Sequence, residues 1–163
     1  MAGRVVTPVE SSREVNMLKI YLDNCCYNRP FDDLSQEKIK NEATAKMFIQ
    51  SLIKYKSLLL YYSFMSLYEI NDNPFTGNRE HIFNFVKEYA SVYISARCIN
   101  EIEPLSRDMM RSGLKKKDAI HLACSIIGEC HYFITTDKRV LNCRTDKIKI
   151  VNPIDFVEIW RKT

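Results

Sequence analysis

Lys117-Asp118-Ala119-Ile120-His121-Leu122-Ala123 and Phe133-Ile134-Thr135-Thr136-Asp137 mark out the unit whose reading decides the fold. Residues 118–127 form a largely apolar run of helical length, and Gly128 stands where such a helix would end. Residues 131–135 follow as a short apolar run, the pattern of a strand buried on both faces. Each end of the unit carries a carboxylate. Asp118 lies in the first helical turn and Asp137 at the carboxyl end of the strand.

The same alternation extends outward. Residues 18–22 read as a first strand ending at Asp23. Pro30 and Asp32-Asp33 mark a loop, and Ser35 opens a helix with apolar residues at Ile39, Ala43, Met47, Phe48 and Leu52. Residues 58–62 form a second buried strand, and a short helix over 64–70 carries Glu69 before Asn73-Pro74 ends it. A helix over 79–89, a third strand over 91–94 and a helix over 97–111 come next, the last interrupted by Pro104 and closed by Gly113. Residues 147–151 are a fifth strand, and 153–161 a final helix with Pro153 in its first turn. Strands separated by helices imply right-handed parallel crossovers and a three-layer α/β/α sheet. In such sheets the ligand site lies at the carboxyl ends of the strands, where the strand order reverses.

Composition narrows the field. The chain has 163 residues, one domain's worth, with 46% hydrophobic and 27% charged residues, which argues against disorder. Four Gly and five Pro exclude collagen-like and linker-like readings. No apolar run approaches the roughly 18–20 residues of a membrane span. Residues 1–16 are polar, show no periodicity and no signal-peptide core, and precede a second methionine, Met17. They are read as a disordered extension outside the fold, leaving a single domain over 17–163. The expected setting is soluble and cytoplasmic. Cys25, Cys26, Cys98, Cys124, Cys130 and Cys143 are then reduced thiols, and the spacing of Cys130-His131 matches no common zinc pattern. The net charge of +4 permits a polyanionic partner without requiring one.

The acidic residues carry the chemistry. If strands one and four flank the reversal, Asp23 and Asp137 face each other across one crevice. Asp118 and Glu69 lie on helices that reach the same edge. Each has a simpler role open to it: Asp137 as a helix cap, Asp118 as a partner of the helix dipole, Glu69 as a solvated side chain, Asp23 as a turn former. Together they would repel one another, and a divalent cation removes that cost. Oxygen-only ligands select Mg²⁺ or Mn²⁺ over zinc, and such ions serve phosphate chemistry. Lys115-Lys116-Lys117, Lys138-Arg139 and Arg29 would hold phosphates on the rim, though each also reads as a solvated surface charge. His121, three residues past Asp118, reads as a packed or backbone-bonded histidine, and Tyr21, Tyr61 and Tyr62 as core.

Tyr21-Leu-Asp-Asn-Cys25, Tyr68-Glu-Ile70, the segment Lys117–Ala123 and Thr135-Thr-Asp137, in that order, resemble the PIN domain nucleases, and specifically the VapC-like toxins of type II toxin–antitoxin systems. Residues 28–33 and Val151-Asn-Pro153 share the likeness, which spans nearly all of 17–160. The resemblance implies a five-stranded parallel sheet of order 3-2-1-4-5. It implies an Mg²⁺- or Mn²⁺-dependent endoribonuclease with Asp23, Glu69, Asp118 and Asp137 as the catalytic, metal-binding set. Many relatives place Ser or Thr one or two residues after the first Asp, where this chain has Asn24 and Cys25; Thr135 or Thr136 could supply that hydroxyl. A further acidic residue common past Thr-Thr-Asp is replaced by Asn142 and Cys143, so one well-held metal and a weaker second are expected. Asn24, Arg29, Thr135, Thr136 and Lys138 are the expected substrate contacts. The expected partners are RNA, a small antitoxin that covers the acidic groove, and a second copy in a homodimer. Cleavage would leave 5′-phosphate and 3′-hydroxyl ends. The alternative is a PIN-fold module that binds RNA or protein without cutting. Dehalogenase-like phosphatases need an Asp where Cys25 stands, and receiver domains need an early acidic pair and a late Lys that are not in place.

Overall fold

The computed structural model describes residues 4–6, 17–28 and 33–163. Strand β2 (Leu18–Leu22) lies inside a six-stranded sheet. On one side it pairs with β3 (Leu58–Ser63), which pairs with β4 (Val92–Ile94); on the other it pairs with β5 (Tyr132–Ile134), which pairs with β6 (Lys149–Val151). All four pairings are parallel, so these five strands follow the expected order 3-2-1-4-5.

The sixth strand is a departure from the sequence reading. β1 (Arg4–Val6) pairs antiparallel with β4, Arg4 opposite Ile94 and Val6 opposite Val92. Residues 1–16 therefore do not lie wholly outside the fold. A three-residue strand is too short to show alternation, and the outer edge of β4 presents unpaired N–H and C=O groups that such a segment satisfies.

Alternate residues along the strands feed two cores. Ile20, Leu22, Leu58, Leu60, Tyr132 and Ile134 pack with α2 (Glu37–Lys54), α4 (Thr76–Tyr89) and α8 (Pro153–Arg161). Tyr21, Leu59, Tyr61 and Phe133 pack with α5 (Ile99–Arg111) and α6 (Lys116–Ile127). Burying each large apolar side chain contributes about 1.5–3 kcal/mol. This two-sided burial explains why the strands read as continuous apolar runs. The short helices α1 (Asn24–Asn28), α3 (Phe64–Asn71) and α7 (Lys138–Leu141) each follow a parallel strand at its carboxyl end.

Two helices differ from their sequence reading. In α2 the buried face is Glu42, Ala43, Ala45, Lys46, Ile49 and Ile53, whereas Met47 is exposed. The face is rotated so that a lysine sits inside, with its Nζ 4.2 Å from the centre of the Tyr27 ring. In α5, Pro104 does not interrupt the helix. It is exposed, so the hydrogen bond it cannot donate is lost on the water side, where solvent replaces it. Gly113, at φ 102, supplies the left-handed residue that ends α5.

Gly128 follows α6 with φ −71, a conformation open to any residue, so its role is space. A Cβ there would lie 2.8 Å from Cδ2 of the buried Tyr61 ring. Gly128→Ala should therefore cost about 1–3 kcal/mol, against the few tenths an alanine would otherwise gain. A lower urea midpoint followed by circular dichroism is the expected result.

Candidate functional site

Asp23 comes directly after β2, and its backbone N–H donates to the Ile134 carbonyl at 2.9 Å, extending the β2–β5 ladder by one rung. Its side chain is only 5% exposed. Oδ1 accepts from the Asn24 N–H at 2.8 Å, and Oδ2 accepts from Thr135 Oγ1 at 2.8 Å and from the Cys25 thiol at 3.6 Å. Thr135 is fully buried after β5 and its hydroxyl oxygen also accepts from the Asp137 N–H at 3.1 Å. One hydroxyl thus ties the two strand-end aspartates together. Thr135, expected at the substrate, has no surface to offer and orients Asp23 instead. It also supplies the hydroxyl that Asn24 and Cys25 cannot.

Asp137 does cap a helix: Oδ1 accepts from the Arg139 N–H at 2.8 Å at the start of α7, and the residue is exposed. Asp118 is half-buried in the first turn of α6. Glu69, half-buried on α3, accepts from His121 Nε2 through Oε1 at 3.0 Å. The Asp118 carboxyl feels the charge of the other three. Burial pushes the Asp118 carboxyl up to about 6, Asp23 and Asp137 push the same way, His121 opposes them and Glu69 adds to the rise. Asp23, Asp137 and Glu69 therefore all lie within electrostatic range of Asp118, near the carboxyl ends of β2, β3 and β5. Among the described residues no three or more His, Cys, Asp or Glu side chains are arranged to hold a metal ion as they stand. The donor set nonetheless suits a hard divalent cation, because it is all oxygen and mutually repulsive. Asn24 Oδ1 is also buried beside Asp23 with no hydrogen-bond partner among the described residues.

The other expected contacts fall unevenly. Asn24 is half-buried on α1, and Thr136 is buried with its N–H 3.5 Å from Cys25 Sγ. Lys138 is exposed at the start of α7, and Arg29 lies outside the described residues. Lys117 is exposed, its Nζ 5.1 Å from the Tyr68 ring centre on the rim. No disulfide forms, and all six cysteines are free.

Sequence reasoning missed three features. His121 is packed, as expected, but its partners are side chains: Tyr21 Oη lies 2.6 Å from Nδ1, and Glu69 takes the other ring nitrogen. Tyr21 is core, yet its hydroxyl also meets Ser63 Oγ at 2.6 Å and Ser66 Oγ at 3.0 Å. The Ser63-x-x-Ser66 spacing after an apolar strand was the available signal, since it is a capping arrangement. Lys46 is the third. Burial lowers its pKa to about 7, against the pull of Cys26, Cys25 and Asp23, so this amine behind the acidic corner is only partly charged at neutral pH.

Architecture and site together define a PIN-like α/β fold with an acidic corner at its strand ends. The crystal structure of FitAcB from Neisseria gonorrhoeae is similar, with a TM-score of 0.53 at 12% identity, over 82% of this chain and 97% of that one. No family model matches the sequence, and no curated protein does. No helix among the described residues is long and apolar enough to cross a membrane.

The raised Asp118 pKa has a measurable consequence. The folded protein holds this proton up to about pH 6, whereas the unfolded chain releases it near 3.8. The Asp118 contribution to cation-free stability should therefore fall as pH rises from about 4 to about 6 and stay level above that. Asp118→Asn removes the cost. With chelator at pH 7.5 the variant should be more stable than the parent by about 1 kcal/mol after allowing for solvent screening, and equal to it at pH 4. Urea titrations at the two pH values check this.

Proposed function

We propose that this protein is a metal-dependent endoribonuclease that hydrolyses RNA phosphodiesters with Mg²⁺ or Mn²⁺, and that it is the VapC-like toxin of a type II toxin–antitoxin pair. The observation that carries the reading is the Asp118 carboxyl, raised by burial and by Asp23, Asp137 and Glu69 at the strand ends of a PIN-like sheet. Such repulsion is a standing cost in a folded protein, and a divalent cation would convert it into binding energy. Asp23, Asp118 and Glu69 would hold the ion, with Asp137 joining from its capping position. When bound, the ion would neutralise the phosphodiester, lower the pKa of a water and stabilise the leaving oxygen.

The chain's own residues supply the rest. Thr135 fixes the plane of the Asp23 carboxylate, and His121 fixes that of Glu69. Asn24 offers an unpaired amide oxygen beside Asp23, and Lys117 and Lys138 on the rim suit phosphate contacts. A small antitoxin would cover this corner with an Arg or Lys directed at the carboxylates. A homodimer is part of the same proposal.

A second reading, a PIN-like module that binds RNA or protein without cutting it, draws support from the Asp137 cap and from side chains not yet gathered around one point. Activity separates the two. The purified protein should cut RNA with Mg²⁺ or Mn²⁺, stop with EDTA, and leave 5′-phosphate ends. Asp23→Asn and Asp118→Asn should each lower cleavage by more than about a hundredfold with the circular dichroism spectrum unchanged. Full cleavage in EDTA or in either folded variant would remove the nuclease reading.

A further inference from the structure

We propose that Tyr21 and His121 are positioning residues, which hold a hydrogen on His121 Nε2 and so anchor Glu69 in the acidic corner through one of its two oxygens. The directions of the hydrogen bonds carry the argument. Ser63 Oγ accepts from the backbone N–H groups of Met65 at 3.2 Å and Ser66 at 3.4 Å. Ser66 Oγ accepts from the Ser63 N–H at 3.1 Å. With both serine oxygens receiving backbone donors, their own hydrogens are free to go to Tyr21 Oη, at 2.6 and 3.0 Å. Tyr21 then donates to His121 Nδ1 at 2.6 Å, which leaves the ring hydrogen on Nε2, facing Glu69 Oε1 at 3.0 Å.

A doubly protonated ring also carries a hydrogen on Nε2, with Tyr21 then accepting at Nδ1. Either way the carboxylate meets a donor. The arrangement shut out is the neutral ring with its hydrogen on Nδ1, which would turn a lone pair on the carboxylate. Tyr21 and His121 are both 0% exposed, so water cannot stand in for a lost bond. The chain of bonds runs from the α3 cap through β2 to α6 and back to α3, and so references Glu69 to three separate elements. The partner of a metal-binding carboxylate orients it much as a ligand's own geometry does.

The metal readout of this inference rests on the nuclease reading; the tautomer readout does not. In long-range ¹H–¹⁵N spectra of imidazole-labelled protein, His121 should carry its hydrogen on Nε2 in the wild type. In Tyr21→Phe, with Glu69 still accepting at Nε2 and no partner left at Nδ1, the hydrogen should stay on Nε2 and the Nδ1 resonance should move to that of an unbonded nitrogen. A wild type whose hydrogen sits on Nδ1 alone overturns the proposal, even if no variant folds. In Mn²⁺ titrations followed by electron paramagnetic resonance, His121→Phe should bind about 10–100-fold more weakly. Tyr21→Phe should lose roughly two- to tenfold, and the double variant no more than His121→Phe alone. His121→Gln, whose amide can still donate to Glu69, should recover part of the loss. RNA cleavage should fall in kcat with KM unchanged. Wild-type Mn²⁺ affinity and kcat in both folded single variants would overturn the positioning role and leave the nuclease reading standing. A wild type that shows Nε2–H yet neither binds Mn²⁺ nor cuts RNA would remove the nuclease reading and uphold the anchoring of Glu69.

Discussion

β2 and β5 are hydrogen-bonded neighbours, and an acidic residue stands at or just beyond the end of each, so Asp23 and Asp137 cannot move apart without unzipping the middle of the sheet. Helices α3 and α6 deliver Glu69 and Asp118 to the same corner. The parallel order that lets the chain bury two apolar faces is therefore also what crowds its carboxylates. Crowding of this kind is tolerated only where each charge is met by something.

The molecule meets each one differently. Asp23 is saturated by an amide, a hydroxyl and a thiol. Glu69 is held by an imidazole, Asp137 by the first turn of α7, and Asp118 by a shift of its proton affinity. Lys46, buried against the Tyr27 ring and only partly charged at neutral pH, lies within electrostatic range of Asp23 behind the sheet ends. Asp118 is left as the group whose charge is least compensated by its own surroundings. An incoming cation would act first on it, and would meet Glu69 on the oxygen that His121 leaves open.

The inner strands were legible because β2, β3 and β5 are largely buried and read as apolar runs, whereas their order followed from the resemblance. Pro153 marked the start of α8 for the same local reason that it occupies a first turn. Asp23 and Asp137 were legible because they sit just past those runs and Asp118 because it lies in a first helical turn, whereas Glu69, in the second half of α3, stood out through the resemblance. What could not be read were features set by contacts distant in sequence. Nothing local shows that Lys46 rather than Met47 faces inward, or that Tyr21 reaches a histidine 100 positions away. Thr135 was singled out as a hydroxyl for substrate, and its depth depends on β6 closing over it through the bond from its N–H to the Val151 carbonyl. Pro104 misled because the rule against proline in helices presumes a buried carbonyl, and here water does the accepting.

The two rims of the sheet are guarded unequally. β6 is three residues long with Lys149 exposed, a poor template for a foreign strand. β4 is shielded instead by β1, a segment separated from the rest of the domain by the stretch that leads to Met17. A polypeptide begun at Met17 would retain every strand from β2 to β6 and the whole acidic corner, yet would bare one flank of β4. Such a form would be equally equipped for chemistry and far more inclined to zip onto its neighbours.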